Sequence, residues 1–231
     1  MTIKALTFDT GGTILDWHGG ISRAFAAAGA RRGIKADWPE ITNEYRRRSL
    51  KGMVNQERPA FNIDDLHRRM LDAVIADFRL DALDAEDREA IWSTWHALDA
   101  WPGFAAAAAR LRGKYVVASF TILTLSLAVD VSRRNGIVWD AIISCEMIGT
   151  YKTRPEAYLT AAKWLRLDPS EILMVACHNF DLDAARACGY RTAFVRRPAE
   201  WGPAGPPDPV ANPANDYIVD DFQTLAERLG A

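Results

Sequence analysis

The 231-residue chain has no long apolar run. Nothing in it approaches the ~18 consecutive apolar residues of a membrane-spanning helix, so no membrane contact is expected. Cysteine is scarce: Cys145, Cys177 and Cys188 make an odd number without the paired spacing of a structural zinc site. That argues against a disulfide framework and fits reduced thiols, so a cytoplasmic location is expected. A block of basic residues is also missing. The 28 Lys and Arg stand against 30 Asp and Glu, for a net charge of −2. Nucleic acid is therefore not an expected partner. No internal repeat is visible, and Met1 runs straight into an apolar stretch without a leader-like segment. The length suits one α/β core plus a small additional domain.

What is present is a series of short apolar runs that end in polar residues. Ile3-Lys4-Ala5-Leu6-Thr7-Phe8 ends at Asp9 and opens the loop Asp9-Thr10-Gly11-Gly12-Thr13. Tyr115 to Phe120 ends at Thr121, and Ala141 to Ser144 leads into a loop reaching Tyr151-Lys152. Glu171 to Ala176 ends in Cys177-His178-Asn179-Phe180-Asp181. Runs that are apolar throughout fit strands covered on both faces. Helical patterns at about 125–135, 156–166 and 181–188 separate them. The expected core is a doubly wound parallel sheet that delivers an Asp, a Thr, a Lys and a second Asp to one edge. Open α/β sheets bind ligands at that edge. A carboxylate there, with glycines behind it, can act as a nucleophile; a turn or capping Asp is the plainer alternative. Proline concentrates in 198–215, at Pro198, Pro203, Pro206, Pro207, Pro209 and Pro213, which reads as a loop. A last strand near 216–219 and a helix through 223–229 complete the core.

Taken in order, these motifs resemble the haloacid dehalogenase superfamily over essentially the whole chain. Phe8 to Thr13 looks like its first motif, Thr121 the second, Lys152 the third, and His178 to Asp181 the fourth. The match is nearest to the hydrolytic (S)-2-haloacid dehalogenases, including the branch associated with fluoroacetate. The resemblance implies a core of residues 1–15 and 101–231. It also implies an inserted helical cap of residues 16–100, where amphipathic patterns fall at about 20–31, 39–52, 64–78 and 86–97. It further implies catalytic roles for Asp9, Lys152 and Asp181, and substrate contacts from Thr10, Thr13, Arg46, Thr121, Tyr158, His178 and Asn179. Arg46 is favoured over its neighbours as the cap arginine, with Arg48 second. Each of these has a plainer reading. A cap arginine can belong to a solvated basic face, and Tyr158 can be helix packing. Thr13 can be a turn cap, and His178 can be a loop hydrogen-bonding group.

Position 11 separates the branches. The superfamily's phosphatases carry an acidic residue there as general acid, and a departing alkoxide needs one. A halide leaves as a stable anion and does not. This chain has Gly11, and it has Cys177-His178 where phosphatases carry an acidic metal ligand. Magnesium wants oxygen ligands. The expected site therefore uses no metal and no cofactor, and it acts on a small haloacid through an ester on Asp9. A phosphatase of the same superfamily, or a catalytically silent binding protein on this fold, stays open as an alternative. Three departures from the dehalogenase pattern stand out. Ile122 replaces the asparagine that helps hold halide, Gly11 replaces a common aromatic, and Thr153-Arg154 replaces the usual Pro-Asp. The preferred halogen, the natural substrate and the choice between monomer and homodimer stay open at this level.

Overall fold

The structure, a computed structural model, describes residues 2–54 and 62–231. Six parallel strands form one sheet: β1 (Ala5–Phe8), β2 (Val116–Thr121), β3 (Ala141–Ser144), β4 (Ile172–Ala176), β5 (Arg191–Val195) and β6 (Tyr217–Val219). Their order is β3-β2-β1-β4-β5-β6, so the chain winds outward in both directions from β1. The strand order reverses between β1 and β4, and the C-terminal crevice at such a reversal is where open α/β sheets hold ligands. Asp9 follows β1 directly at that point, with its N–H donating to the Val175 carbonyl at 2.9 Å.

Alternation along the strands explains why the runs are apolar throughout. Leu6, Phe8, Val117, Leu173, Val175, Ala193 and Val195 belong to the core on one face of the sheet. Ala5, Ala118, Phe120, Ile172, Met174, Ala176 and Phe194 belong to the core on the other. β1, β2, β4 and β5 feed both cores, so both sets of alternate positions are mostly apolar. On the first face, α5 (Phe104–Arg112) and α10 (Phe222–Arg228) pack together, and Phe104 meets Phe222 edge to face at 4.7 Å and Phe8 at 5.4 Å. On the second face, α8 (Pro155–Leu165) and α9 (Asn179–Ala187) cover the sheet. The helix α6 (Leu125–Arg134) links β2 to β3.

Between β1 and β2 lie α1 (Trp17–Arg31), α2 (Trp38–Val54), α3 (Ile63–Asp77) and α4 (Ala85–Ser93), closed by a 3-10 turn at Thr94–Ala97. The segments entering and leaving this helical stretch pair with each other. Leu15 bridges Ala100 in antiparallel fashion, Asp16 N–H donates to the Asp99 carbonyl, and Trp101 N–H donates to the Ile14 carbonyl. Among the described residues, no helix is long and apolar enough to cross a membrane.

Three elements go beyond what the sequence reading provides. β5 opens on Arg191-Thr192 and has only the short apolar run Ala193-Phe194-Val195. α5 is built on five successive alanines, which give little contrast between faces. The expected loop after β3 contains α7 (Cys145–Ile148).

The aromatic cluster under β1 sets a stability expectation. Phe104 is 1% exposed and touches Phe8, Trp139 and Phe222. Phe104→Ala leaves a cavity among rings that cannot collapse, so a loss of about 3–5 kcal/mol in urea denaturation is expected.

Candidate active site

The site is built at the C-terminal edge of β1, β2, β4 and β5. Lys152, reached by the segment after α7, extends its ammonium under the first loop. Its three hydrogens meet three acceptors: Asp9 Oδ1 at 2.8 Å, Asp181 Oδ2 at 2.7 Å and the Phe120 carbonyl at 3.0 Å. An ammonium has three donors and no more, so its hydrogen bonding is complete. Burial opposes the charge on Lys152, but Asp181 and Asp9 outweigh it and push its pKa above the ordinary lysine value. For Asp9, burial is the largest influence and favours the neutral form; Lys152 and His178 together overcome it and hold the carboxyl well below the usual range. The Thr13 hydroxyl donates to Asp9 Oδ2 at 2.6 Å and accepts from the Cys177 N–H at 3.0 Å, which ties the carboxylate to the β4 tip. Asp181 takes its second contact from the Tyr158 hydroxyl, 2.6 Å from Oδ1. Both of its oxygens are thereby engaged.

Opposite Lys152 stands His178. Its Nδ1 lies 3.4 Å from Asp9 Oδ2, and its Nε2 lies 2.9 Å from Glu200 Oε1. Burial opposes charge on the ring, but Cys177, Glu200 and Asp9 outweigh it and raise its pKa well above the ordinary imidazole value. Glu200 is 2% exposed. It also accepts from the Trp17 indole N–H at 3.2 Å. Burial favours the neutral form of Glu200, but the His178 charge, the His178 and Trp17 hydrogen bonds and Arg46 lower its pKa.

Two glycines make this packing feasible. Gly12 has a φ of +91°, and a Cβ there would collide with the Glu200 carboxylate. At Gly11 a Cβ would stand 3.3 Å from Arg46 Nη2, a tight contact that the guanidinium would have to ease by a few tenths of an ångström. Arg46 projects from α2, is 4% exposed, and lies between the Trp17 and Trp95 rings, 5.5 and 5.4 Å from their centroids. Its Nη1 is buried without a hydrogen-bond partner among the described residues. An uncommitted, desolvated guanidinium donor is a ready partner for an anion.

A cavity of about 120 Å³ opens over these groups. Pockets for drug-sized ligands hold ~300–1,000 Å³, so this one suits a molecule of few heavy atoms. Asp9, Arg46, Lys152, His178, Asp181 and Glu200 supply its polar lining, and Leu50, Met53, Ile122, Phe180, Trp201 and Pro207 its apolar walls.

The expected residues therefore divide into three groups. Asp9, Arg46, Lys152, His178 and Asp181 line the cavity; Thr13 and Tyr158 stand directly behind, on the carboxylates. Thr10, Thr121 and Asn179 do not line it. Thr10 pairs its hydroxyl with Ser119 at 2.9 Å, and Thr121 Oγ1 accepts from the Leu123 N–H at 3.1 Å. Asn179 spends its amide on the Pro-rich loop, donating to the Val210 carbonyl and accepting from the Asn212 N–H. Arg48 points away and pairs with Glu44 and Asp77. Glu200, Trp201 and Pro207 have no site role in the sequence reading. They sit on the loop that follows β5, the strand that the reading lacks.

A family model for haloacid dehalogenase-like hydrolases matches residues 3–189. The chain belongs to that family. It is similar to the crystal structure of the L-2-haloacid dehalogenase PA0810, with a TM-score of 0.91 and 35% identity, each chain covered to 99%. It is also similar to a defluorinating L-2-haloacid dehalogenase, with a TM-score of 0.91, 33% identity, and 99% of this chain and 96% of that one covered. Among curated proteins it is 27% identical to (S)-2-haloacid dehalogenase 1 of a Pseudomonas species over 205 residues, 84% of this chain and 85% of that one. These likenesses place the chain in the haloacid dehalogenase branch of the family, as a hydrolase.

The Lys152 cluster generates a pH-dependent expectation. Lys152→Met leaves Asp9 and Asp181 buried without their cation, which should cost about 3–5 kcal/mol near neutral pH. Asp9's folded pKa lies below its unfolded one. Its pairing therefore contributes fully above the unfolded value near ~4 and fades as pH falls through the folded value. The advantage that Asp9 pairing gives wild type over Lys152→Met in denaturant titrations should stay near full at pH 5 and shrink as pH falls below ~4.

Proposed function

We propose that this hydrolase removes halide from short 2-haloacids through an ester on Asp9, without a metal. The observation that carries the reading is the buried Asp9 carboxylate held ionised by Lys152, beneath a small cavity with an uncommitted arginine on its far wall. In this reading residues 16–100 act as a cap that brings Arg46 to the core. Arg46 holds the substrate carboxylate or the departing halide. Asp9 attacks C2; its new C–O bond forms as the carbon–halogen bond breaks and halide leaves with the electron pair.

Hydrolysis of the ester needs a base for water. Asp181 is a poor candidate, because Lys152 and Tyr158 engage both its oxygens. His178 fits better. Its Nε2 is anchored on Glu200, and its Nδ1 faces Asp9. Ester formation cancels the Asp9 charge, which removes one of the influences that keep His178 protonated. The ring then releases its Nδ1 proton to solvent and accepts one from the attacking water, with Glu200 stabilising the imidazolium. The hydroxide adds to the Asp9 carbonyl carbon, the bond from that carbon to the substrate oxygen breaks, and the departing alkoxide takes the proton of the new Asp9 carboxyl, which restores the carboxylate. The net products are the 2-hydroxyacid, halide and one proton. Asp181 keeps Lys152 in place, and Thr13 and Tyr158 orient the two carboxylates.

A phosphatase reading fits less well. Position 11 is a glycine and offers no acid. The group that the β4 tip sets beside Asp9 is the His178 ring nitrogen, while magnesium wants an oxygen cage.

Two measurements test the proposal. Purified protein in excess chelator should release halide from chloro-, bromo- or fluoroacetate and release no phosphate from a generic phosphate ester. The reverse pattern, with activity dependent on magnesium, would favour the phosphatase reading. His178→Asn should slow turnover roughly 10²–10⁴-fold, as loss of a general base does. The variant should also accumulate the Asp9 ester, detectable as an added mass on the Asp9 peptide after acid quenching. Slow turnover with no trapped ester would move His178's role to the first step.

A further inference from the structure

We propose that Cys177, His178 and Glu200 form an inhibitory site for a zinc-type divalent cation on the wall of the substrate cavity. The three side chains offer one sulfur, one nitrogen and one oxygen, all within 4.8 Å of one another. Cys177 Sγ lies 3.4 Å from His178 Nε2 and 3.6 Å from a Glu200 oxygen, and His178 Nε2 lies 2.9 Å from the other Glu200 oxygen. Zinc bonds of about 2.0–2.3 Å in a tetrahedron put such donors roughly 3.4–3.6 Å apart. The sulfur–nitrogen and sulfur–oxygen separations already match; the 2.9 Å contact to His178 is made by the other Glu200 oxygen, so the carboxylate must turn to present a single oxygen to the metal. Thiolate, imidazole and carboxylate together suit zinc or cobalt; magnesium and calcium want oxygen alone.

The cluster is also supported as a metal site is. Cys177 and His178 are adjacent on the β4 tip, and the Cys177 backbone is fixed by Thr13. Glu200 is fixed by Trp17 and by the close approach at Gly12. His178 and Glu200 both line the cavity, which gives a path of entry and leaves a fourth position open toward it. On binding, the metal takes the lone pairs of Sγ, Nε2 and the carboxylate and displaces the protons they hold. No bond to carbon changes and no electron is transferred.

The consequence for turnover rests on the dehalogenase reading. Metal on His178 removes the anchored base and crowds the cavity beside Asp9, so the cation inhibits instead of assisting. The sequence hides the site because Glu200 lies 22 residues from His178 in a Pro-rich loop.

The test uses cobalt as the probe. Full-length protein is stripped with chelator, dialysed, and titrated with Co²⁺. A thiolate-to-cobalt charge-transfer band in the near ultraviolet, saturating at one cobalt per chain and displaced by Zn²⁺, is expected. Cys177→Ser should lose that band, with Cys177→Ala as the substitute if the serine variant unfolds. In parallel, the zinc concentration that halves halide release should rise at least ten-fold in the Cys177 variant, relative to its own metal-free rate. No thiolate band in the wild type, or an undiminished band in the Cys177 variant, overturns the site. A normal band without inhibition overturns the inhibitory role. The band is read without substrate, so it stands or falls apart from the dehalogenase activity.

Discussion

The whole site depends on one ammonium. Lys152 brings Asp9 and Asp181 within hydrogen-bonding distance of a single nitrogen in a region that is almost fully buried. Two carboxylates placed this close would otherwise force one of them to take a proton. With the cation beside it, Asp9 is held well below the usual carboxylate range and is an anion at neutral pH. The sheet makes this arrangement affordable. β1 and β4 are central neighbours, so Asp9 and the β4 tip emerge side by side, and the Phe120 carbonyl at the end of β2 takes the third ammonium hydrogen.

A second constraint is the space left by two glycines. In this chain Gly11 and Gly12 leave room beside Asp9 for side chains from elsewhere, Arg46 from α2 and Glu200 from the loop after β5. Arg46 is held by indole faces instead of by a carboxylate, so its charge stays available to a ligand. Ile122 stands in the cavity wall where the family resemblance calls for an amide. Anion binding on this account therefore falls chiefly to Arg46.

Much of this was legible in the sequence. The runs ending at Asp9, Thr121 and His178 are mostly apolar because β1, β2 and β4 feed a core on each face of the sheet, and they place the sheet edge directly. Arg46 could be preferred to Arg48 only through the family resemblance; the structure separates them by burial and by the acidic partners of Arg48. Thr121 and Asn179 show the limit of position along the chain. Both stand at strand tips, yet their polar groups turn back to the backbone. Glu200 was invisible for a different reason. β5 begins with Arg191-Thr192 and has too short an apolar run to announce a strand, and without that strand the following loop has no assigned edge. A single acidic residue among prolines carries no local signal; only the fold brings it to His178.

The most direct test of the account is a single turnover in water enriched in heavy oxygen, with enzyme in excess over a haloacid substrate. If Asp9 forms the ester and water attacks its carbonyl, one heavy oxygen enters the Asp9 carboxylate. The peptide containing Asp9 then gains about 2 Da, while the hydroxyacid from that first turnover carries ordinary oxygen. An unlabelled Asp9 peptide together with heavy oxygen in the product would mean that water displaces the halide directly, and would contradict the covalent role assigned to Asp9.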